Sequence, residues 1–360
     1  MKIAYLAEFD VFSNDGVGQK INQQLSAWNN EGMDAKGFFI SHSLGDRKNL
    51  PNNINVYFSN FMKVDSGFLR KQLNRVLSIK KLNKALNSFS PDIIYYRQNA
   101  YFPGLDKVLM VAPVIMEVNT NDLEEIKLLN KFKSFIYKSG RNKILKHIDA
   151  IVAVSYEIEN LYKYLKIPTC VIANGYDFSQ FKTKKLIKNM NKQINIIFVG
   201  SPKLPWHGIE HFYEMAELFP QYTFHLVGEK IKKKLKNLIQ YGWLKKDELF
   251  KLYEDMDIGV STLALYRKGM NEASPLKSRE YAYYGLPMIV GYIDTDIDGE
   301  DCILNIGNYE MAVIDHENEI SIFIDKWSKN NLNIEILKKK LDYKYKEIDR
   351  IIFMKKIIKK

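Results

Sequence analysis

The sequence predicts an α/β protein with two domains, each a doubly wound parallel sheet covered by helices on both faces. Short apolar runs typical of buried strands alternate with helical stretches, which is the pattern of successive βαβ units. A strand-loop-helix opening occurs at the start of the chain and again near residue 194. The chain has 360 residues, and single cores usually stop growing well below that length, so two domains are expected.

The first half begins with the apolar run KIAYLAEF, the glycine-containing turn SNDGVGQK and a helical stretch at about 19–31. Further strand-like runs follow at 37–40, 93–96, 114–118 and 151–154. The second half has such runs at 194–200, 223–227, 258–261 and 288–291. Each half therefore predicts its own parallel sheet.

The polar stretch TKKLIKNMNKQ at 183–193 has little to bury and predicts an interdomain linker. The expected domains are then 1–182 and 194–333, followed by a C-terminal basic helix at 334–360. The apolar face of that helix is expected to consist of Ile334, Leu337, Leu341, Tyr345, Ile348 and Ile352.

The positive charge is concentrated in three segments. The net charge is +11, and residues 61–89, 127–148 and 334–360 carry +6, +7 and +6. Each segment has helical apolar spacing, so each is either a helix with a solvated basic face or a helix that lies on anionic membrane. With two such helices in the first domain, we expect membrane contact. Nucleic acid is not an expected partner, because the aromatic residues form no recognisable binding module in these segments.

The cysteine content and the absence of long apolar runs indicate a cytoplasmic protein. Cys170 and Cys302 are too few for a disulfide framework and lack the spacing of a zinc site. Glu8 and Asp10 interrupt the N-terminal apolar run before a signal-peptide core forms. No uninterrupted apolar run reaches about 18 residues, the length that suggests a membrane span.

The segment EASPLKSREYAYYGLP at 272–287 has the most specific pattern. Ser274 and Pro275 predict a helix N-cap and first helical position, and Gly285 predicts the helix end. Glu272 is expected in the loop before the helix and Glu280 inside it, eight residues later. Free N–H groups at the helix start, with the charge of Lys277, would suit a phosphate, and the two carboxylates would suit sugar hydroxyls.

This pattern resembles the donor-site signature of retaining glycosyltransferases of family 4, which have the two-domain GT-B fold. Three further blocks occur in the family's order: 149–155 with 171–177 and Phe181, then 197–209, then 241–258. The resemblance spans nearly the whole chain. It implies two Rossmann-like domains facing a cleft, an acceptor-binding first domain, a nucleotide-sugar-binding second domain, and a C-terminal helix that crosses back to the first domain.

The resemblance also implies roles for individual residues. Glu272 would accept hydrogen bonds from the donor hexose, and Glu280 would bind the ribose hydroxyls. Backbone amides near the diphosphate, sugar and base would come from Gly16, Val17, Gly18, Gly242, Trp243, Ser274, Leu276 and Lys277. An ordinary strand-to-helix turn is the alternative for residues 16–18, and simple packing is the alternative for Trp243.

Two departures from the family pattern affect the expected site. Ser201 and His207 stand where the family often has Arg and Lys, so Lys203, Lys277 and a protonated His207 are the expected substitutes at the diphosphate. His207 as an ordinary helix-start residue is the alternative. In the first domain, Glu117 and Arg97 are expected at the acceptor or reaction centre, with a buried salt bridge as the alternative.

The implied activity is transfer of a hexose from a UDP- or GDP-type sugar, with retention, to a lipid-linked or glycan acceptor in bacterial cell-surface polysaccharide synthesis. No metal or other cofactor is expected, and the Asp294, Asp296 and Asp298 run is expected to be a surface turn. The expected location is the inner face of the plasma membrane, where the protein would bind peripherally. A sugar-nucleotide epimerase of the same architecture and a basic nucleic-acid-binding protein are the alternatives.

Overall fold

The computed structural model describes residues 1–360 except 12–15, 42–50, 58–67, 129–130, 180–192, 201–203, 229, 233, 331 and 360. The described chain forms two compact units, Met1–Ile172 with Tyr343–Lys360, and Ala173–Asp342. The expected linker at 183–193 lies outside the described residues except for its last position.

The first unit is built on a parallel sheet of seven described strands in the order β3-β2-β1-β4-β5-β6-β7. Their bounds are β1 Lys2–Glu8, β2 Asp34–Ile40, β3 Ile54–Tyr57, β4 Ile93–Arg97, β5 Val114–Val118, β6 Ala150–Ala153 and β7 Thr169–Val171. The helices of this unit are α1 Gly16–Asn30, α2 Phe68–Phe89, α3 Leu105–Leu109, α4 Asp122–Glu125, α5 Lys131–Leu145 and α6 Tyr156–Asn160.

The second unit has a parallel sheet of six described strands in the order β10-β9-β8-β11-β13-β15 and a short two-stranded ladder, β12-β14. The strands are β8 Asn195–Val199, β9 Thr223–Val227, β10 Leu238–Gly242, β11 Ile258–Val260, β12 Glu272–Ala273, β13 Met288–Val290, β14 Ile293–Asp294 and β15 Ile303–Asn305. Its helices are α7 Ile209–Leu218, α8 Lys246–Glu254, α9 Leu276–Tyr283, α10 Ala312–Asp315, α11 Glu317–Lys329 and α12 Ile334–Leu341.

The last helix, α13 Tyr343–Ile358, returns to the first unit. It packs against α1 and places Ile351, Met354 and Ile357 in the same apolar core as Trp28 and Tyr95. The predicted fold class is therefore confirmed: two doubly wound parallel-sheet units and a C-terminal helix that crosses back to the first.

Three details of the predicted elements are corrected. The first helix begins at Gly16, so residues 16–18 form its first turn and are not a loop before it. The tail is two helices, because the backbone is extended at Asp342 between α12 and α13. On α13, Tyr345, Ile348 and Ile352 are exposed, since the neighbouring face of the helix is the one that packs into the core.

The apolar face expected of the 61–89 segment is divided. Leu82 and Leu86 are buried, whereas Leu73, Val76 and Leu77, one to three turns earlier on α2, are exposed. The first part of the segment, 61–67, lies outside the described residues.

Candidate functional site

Helix α9 starts one residue later than the sequence predicts. Pro275 is the N-cap residue, with an extended ψ of 140°, and Leu276 is the first helical residue. Ser274 does not cap the helix, because its hydroxyl accepts a hydrogen bond from the Asn174 N–H at 2.7 Å. The helix ends as predicted: Gly285 has a φ of +68°, and its N–H and that of Leu286 donate back to carbonyls of the last turn.

The N-terminal end of α9 is braced by the segment at which the chain enters the second unit. The Asn174 side chain donates to the Ser274 carbonyl at 2.6 Å. The fully buried Arg279 donates through Nε to the Asn174 carbonyl at 3.0 Å and pairs with Asp294 and Asp296. These contacts fix the backbone at Ser274, the first of the residues from Ser274 to Lys277 whose amides are predicted at the sugar and phosphates.

The surface turn predicted at 294–298 is present over 295–299, but its first residue is not at the surface. Asp294 is buried and belongs to β14, and Arg279 contacts both of its carboxylate oxygens. Asp298 alone of the three is exposed. Glu272 is half-buried and opens β12, which pairs with β14, so it lies in a short strand and not in a free loop.

The sheet position of α9 is typical of a ligand site. Tyr281 accepts a hydrogen bond from the Val199 N–H at the carboxyl end of β8 and donates to the Val260 carbonyl at the end of β11. Strands β8 and β11 are neighbours, and the strand order reverses between them. In open α/β sheets, ligands bind outside the carboxyl ends of the strands at such a switch point.

Lys277, in the first turn of α9, is the cation expected at the diphosphate. Its Nζ lies 3.4 Å from His207 Nδ1 and over the Phe198 ring, 5.3 Å from the ring centre. Burial lowers the pKa of Lys277 to about 7, against the opposing effect of Glu280. An anion at this position would restore the full charge of the amine.

His207 is not the protonated group that the family resemblance leads us to expect. It is buried in the turn before α7, and burial together with the charges of Lys277 and Lys268 lowers its pKa to about 3. The ring is therefore neutral at physiological pH. Ser201 and Lys203, the other expected diphosphate residues on this side, lie outside the described residues.

Glu280 is half-buried on α9 and accepts a hydrogen bond from the Tyr253 hydroxyl at 3.1 Å. Burial raises the pKa of Glu280, while the Tyr253 hydrogen bond and the charges of Lys246 and Lys277 act in the opposite direction. The carboxylate is thus held at one oxygen by a neighbouring helix.

The predicted base loop follows β10. Gly242 has a φ of +71° and is the last residue of β10, which lies at the edge of the described sheet. The Trp243 side chain is 78% exposed, so the alternative in which it is simply packed does not hold. Lys245 is the N-cap residue of α8, and its N–H donates to the Glu248 carboxylate at 2.8 Å.

In the first unit, Glu117 lies at the carboxyl end of β5 and is fully buried. It pairs with Lys20 at 2.8 Å and with Arg97 at 3.2 Å, and it accepts hydrogen bonds from Tyr5 and Gln24. Burial alone would raise the pKa of Glu117, but Lys20, Arg97 and Arg350 hold it well below its usual range. The buried salt bridge, the alternative for Glu117 and Arg97, is therefore present.

Arg97 keeps more access to solvent than Glu117. Its side chain is 18% exposed, and one of its nitrogens is the atom that pairs with Glu117. Lys20 follows Gly18 in the first turns of α1 and also donates to Asn119 at 2.9 Å. Lys20, on the helix that Gly16–Gly18 begin, and Arg97 are thereby tied to one carboxylate.

Helix α13 extends this network. Arg350 donates to Tyr95 at 2.8 Å, pairs with Glu347 and approaches Glu117 to 3.7 Å. The Trp28 indole N–H donates to Glu347 at 2.8 Å. Burial raises the pKa of Glu347 against the effect of Arg350.

Of the predicted residues, the second unit brings Ser274, Leu276, Lys277, Glu280 and His207 to α9 and its surroundings. Sequence reasoning missed Tyr253, Arg279, Lys20 and Arg350. Lys20 and Gln24 do share a helical face with the apolar Ile21 and Trp28, and Glu347 and Arg350 share one with Met354. Charged residues on an apolar helical face were the available signal for these buried pairs.

Within the described residues, no group of three or more His, Cys, Asp or Glu side chains is placed to hold a metal ion. None of the described helices is long and apolar enough to cross a membrane.

Comparison with solved structures places the chain among proteins with the GT-B fold. Sucrose-phosphate synthase from Thermosynechococcus elongatus matches with a TM-score of 0.72 at 12% identity, covering 99% of this chain and 98% of that one. Anabaena HepE, solved with UDP and glucose, matches with a TM-score of 0.64 at 15% identity, covering 99% and 100%. The lipopolysaccharide outer core galactosyltransferase WaaB matches with a TM-score of 0.63 at 16% identity, covering 99% and 100%.

At these identities the likeness establishes the fold alone. The same fold occurs in a UDP-GlcNAc 2-epimerase from Neisseria meningitidis, with a lower TM-score of 0.53 at 12% identity, covering 99% of this chain and 100% of that one. No protein-family model matches the sequence, and no curated protein is significantly similar to it.

Proposed function

We propose that the protein is a retaining glycosyltransferase that moves a hexose from a UDP- or GDP-type sugar. The observation that carries this proposal is the site around α9, where a helix N-terminus, Lys277 and Glu280 lie at the switch point of a doubly wound sheet. Glu280 would bind the ribose, Lys277 and the first amides of α9 the diphosphate, and Glu272 the hexose. The comparison structures named as glycosyltransferases, and the UDP and glucose bound to HepE, support this assignment.

The proposed acceptor is a lipid-linked sugar or glycan in bacterial cell-surface polysaccharide synthesis, met on the inner face of the plasma membrane. The first unit exposes apolar side chains on both of its basic helices, Leu73 and Leu77 on α2, and Phe135 and Ile136 on α5. Apolar residues among lysines are what an anionic membrane surface binds. The 70% exposure of the Phe135 side chain on α5 supports membrane contact over the alternative of a solvated basic face.

In the proposed reaction, the bond between the hexose C1 and the diphosphate oxygen breaks while the acceptor oxygen bonds to C1 on the same face. The acceptor proton passes to the leaving diphosphate, so no protein nucleophile is required. The enzyme contributes position and charge stabilisation, for which the Lys277 ammonium and the α9 amides are suited. No metal is part of this proposal, and we expect turnover to continue in the presence of a chelator.

Glu117 and Arg97 would act at the acceptor side of this reaction in different ways. Glu117 is fully enclosed, so we assign it the positioning of Lys20 and Arg97. Arg97, which is partly exposed, would contact the acceptor or the reacting groups.

The test is thermal unfolding of the wild type, Glu280→Ala and the exposed control Glu335→Ala with UDP, GDP, ADP and CMP and their sugar conjugates. A ligand at about 100 times its Kd adds roughly 2.7 kcal/mol to the free energy of unfolding. We expect one nucleoside diphosphate to stabilise the wild type and the control, and to stabilise Glu280→Ala much less. A folded wild type that no nucleotide stabilises contradicts the proposal.

The epimerase remains the second candidate because a UDP-GlcNAc 2-epimerase shares the fold. An epimerase acts on its nucleotide sugar without an acceptor. Incubation with the identified donor alone therefore separates the two: an epimerised nucleotide sugar or rapid release of UDP favours the epimerase, and an unchanged donor favours the transferase.

A further inference from the structure

Among the described residues, Tyr253 on the adjacent helix α8 is the one that donates a hydrogen bond to the Glu280 carboxylate. It lies near the end of α8, is 1% exposed, and its hydroxyl donates to Glu280 Oε2 at 3.1 Å. Its ring packs edge-on against Tyr281, with 5.7 Å between ring centres, and at a tilt against Tyr284, with 4.9 Å between ring centres. A phenol enclosed in this way has little rotational freedom, so the position of its oxygen is fixed by packing.

The direction of the hydrogen bond is also fixed. Burial and the charge of Glu280 keep the pKa of Tyr253 well above its usual value, so the phenol stays protonated and can only donate to the carboxylate. Glu280 Oε1 makes no hydrogen bond within the part of the chain that the structure describes. One oxygen is therefore held by the protein, and the other is left to accept from a ligand.

We propose that Tyr253 is a positioning residue that holds Glu280 so that its second oxygen reads a ribose hydroxyl of the nucleotide. This inference rests on the proposed function, because it assigns Glu280 to the ribose. It adds that the selection of ribonucleotides over deoxyribonucleotides depends on a residue that does not touch the ligand. Without the phenol, the carboxylate loses one fixed partner and turns among several rotamers, and each of these weakens its bond to the ribose.

The geometry makes Tyr253→Phe a conservative change. The phenylalanine ring keeps the contacts with Tyr281 and Tyr284 and removes one oxygen atom. Tyr284→Phe is the matched control, since it removes a hydroxyl from the same aromatic cluster but not the one bonded to Glu280. Loss of a hydrogen bond to a charged group typically changes affinity by about tenfold or more.

The experiment measures the Kd of UDP and of 2′-deoxy-UDP, or of the matching pair for whichever base stabilises the wild type, by calorimetry. We expect the wild type and Tyr284→Phe to prefer the ribonucleotide by about tenfold, and Tyr253→Phe to reduce this preference to about twofold. In a Glu280→Ala background, adding Tyr253→Phe should leave the remaining preference unchanged, because the phenol acts only through the carboxylate. A general loss of packing would weaken both nucleotides equally and leave their ratio intact.

Two results overturn the inference for different reasons. If the wild type selects the ribonucleotide and Tyr253→Phe selects it equally well, Glu280 is positioned without the phenol and the inference fails while the proposed function stands. If the folded wild type binds no nucleoside diphosphate, the proposed function fails and the inference fails with it.

Discussion

In the second unit, the charge states of individual side chains depend on burial more than on the type of residue. Lys277 and His207 are both potential cations, yet burial lowers the pKa of each, and for His207 the charge of Lys277, 3.4 Å away, adds to the effect. A ligand phosphate reverses the balance for Lys277, because a nearby anion favours the protonated amine. His207, with a pKa near 3, stays neutral and serves as a neighbour that accepts from the amine.

Nucleotide binding should therefore be coupled to protonation of Lys277. Among the described residues, Glu280 acts to raise the pKa of Lys277 and His207 lies 3.4 Å from its amine, while burial lowers that pKa to about 7. Above that pH the free site is mostly neutral, so forming the ammonium on binding consumes a proton. We expect the Kd of UDP to rise between pH 7 and pH 9, and calorimetry in two buffers of different ionisation heat to show proton uptake at pH 8.

Lys277→Met is the variant that tests this coupling. It should bind UDP about tenfold or more weakly at pH 7, with a shallower dependence on pH, because the charge-assisted contact is gone. An equally steep pH dependence in Lys277→Met would assign the proton to another group.

The sequence predicts which residues form the site better than it predicts their protonation states and hydrogen-bond partners. The helix start and stop signals in 272–287 predict that Lys277 and Glu280 lie on one helix, and Gly285 ends that helix as predicted. The sequence does not predict that His207 is neutral, because its burial depends on the fold. It does not predict the Tyr253 hydrogen bond either, because Tyr253 is 27 residues from Glu280 and only the packing of α8 on α9 joins them. Likewise, Asp294 looks like part of a polar turn until Arg279 is seen beside it.

At the scale of elements, periodicity predicts where strands and helices occur but not which polar contacts join them. The run at 114–118 is the strand β5 residue for residue, whereas the start of α9 differs by one position. That difference has a physical cause: the Ser274 hydroxyl is taken by the Asn174 N–H, which is 100 residues away. Arg279 then joins α9, β14 and the entry of the chain into the second unit.

Arg279 should therefore be critical for the stability of the second unit. Arg279→Leu leaves the buried Asp294 carboxylate without its partner, and breaking a buried pair in this way costs about 3–5 kcal/mol. The measurement is urea-induced unfolding, with Lys326→Leu as the control. The pair of Lys326 with Asp301 is exposed, so its loss should cost less than about 1 kcal/mol. Similar free energies of unfolding for both variants would contradict the assigned role.

At the scale of the whole molecule, the first unit is assembled from both ends of the chain. Helix α13 contributes three apolar side chains to its core, and Glu347 and Arg350 bond to Trp28 and Tyr95. The sequence predicts that the tail crosses back, through the family resemblance, but the apolar face it predicts for the α13 part, Tyr345, Ile348 and Ile352, is exposed. Helical spacing alone cannot decide which face of α13 is buried, because isoleucines occur on both sides of the helix and the buried side also carries two charged residues.

The uneven distribution of charge should direct the first unit to an anionic membrane. Helices α2 and α5 combine exposed apolar residues with exposed lysines such as Lys80 and Lys138. Each basic residue near an anionic surface contributes about 1 kcal/mol at low ionic strength, and the apolar side chains add burial in the headgroup region. We expect the protein to sediment with vesicles that contain an anionic phospholipid, to be released by high salt, and to bind neutral phosphatidylcholine vesicles weakly.

The apolar side chains distinguish docking from simple charge attraction. Phe135→Ser with Ile136→Ser should reduce vesicle binding severalfold without changing the net charge. Ile322→Ser, at an isoleucine on α11 of the second unit that is as exposed as Phe135, should not reduce it. Circular dichroism of each variant shows that it remains folded, as expected for exposed positions. Binding that ignores lipid charge, or that falls equally in the α11 control, would show that the basic helices of the first unit are ordinary solvated surface. Binding lost only in the α5 variant would assign the membrane contact to the unit that is proposed to receive the acceptor.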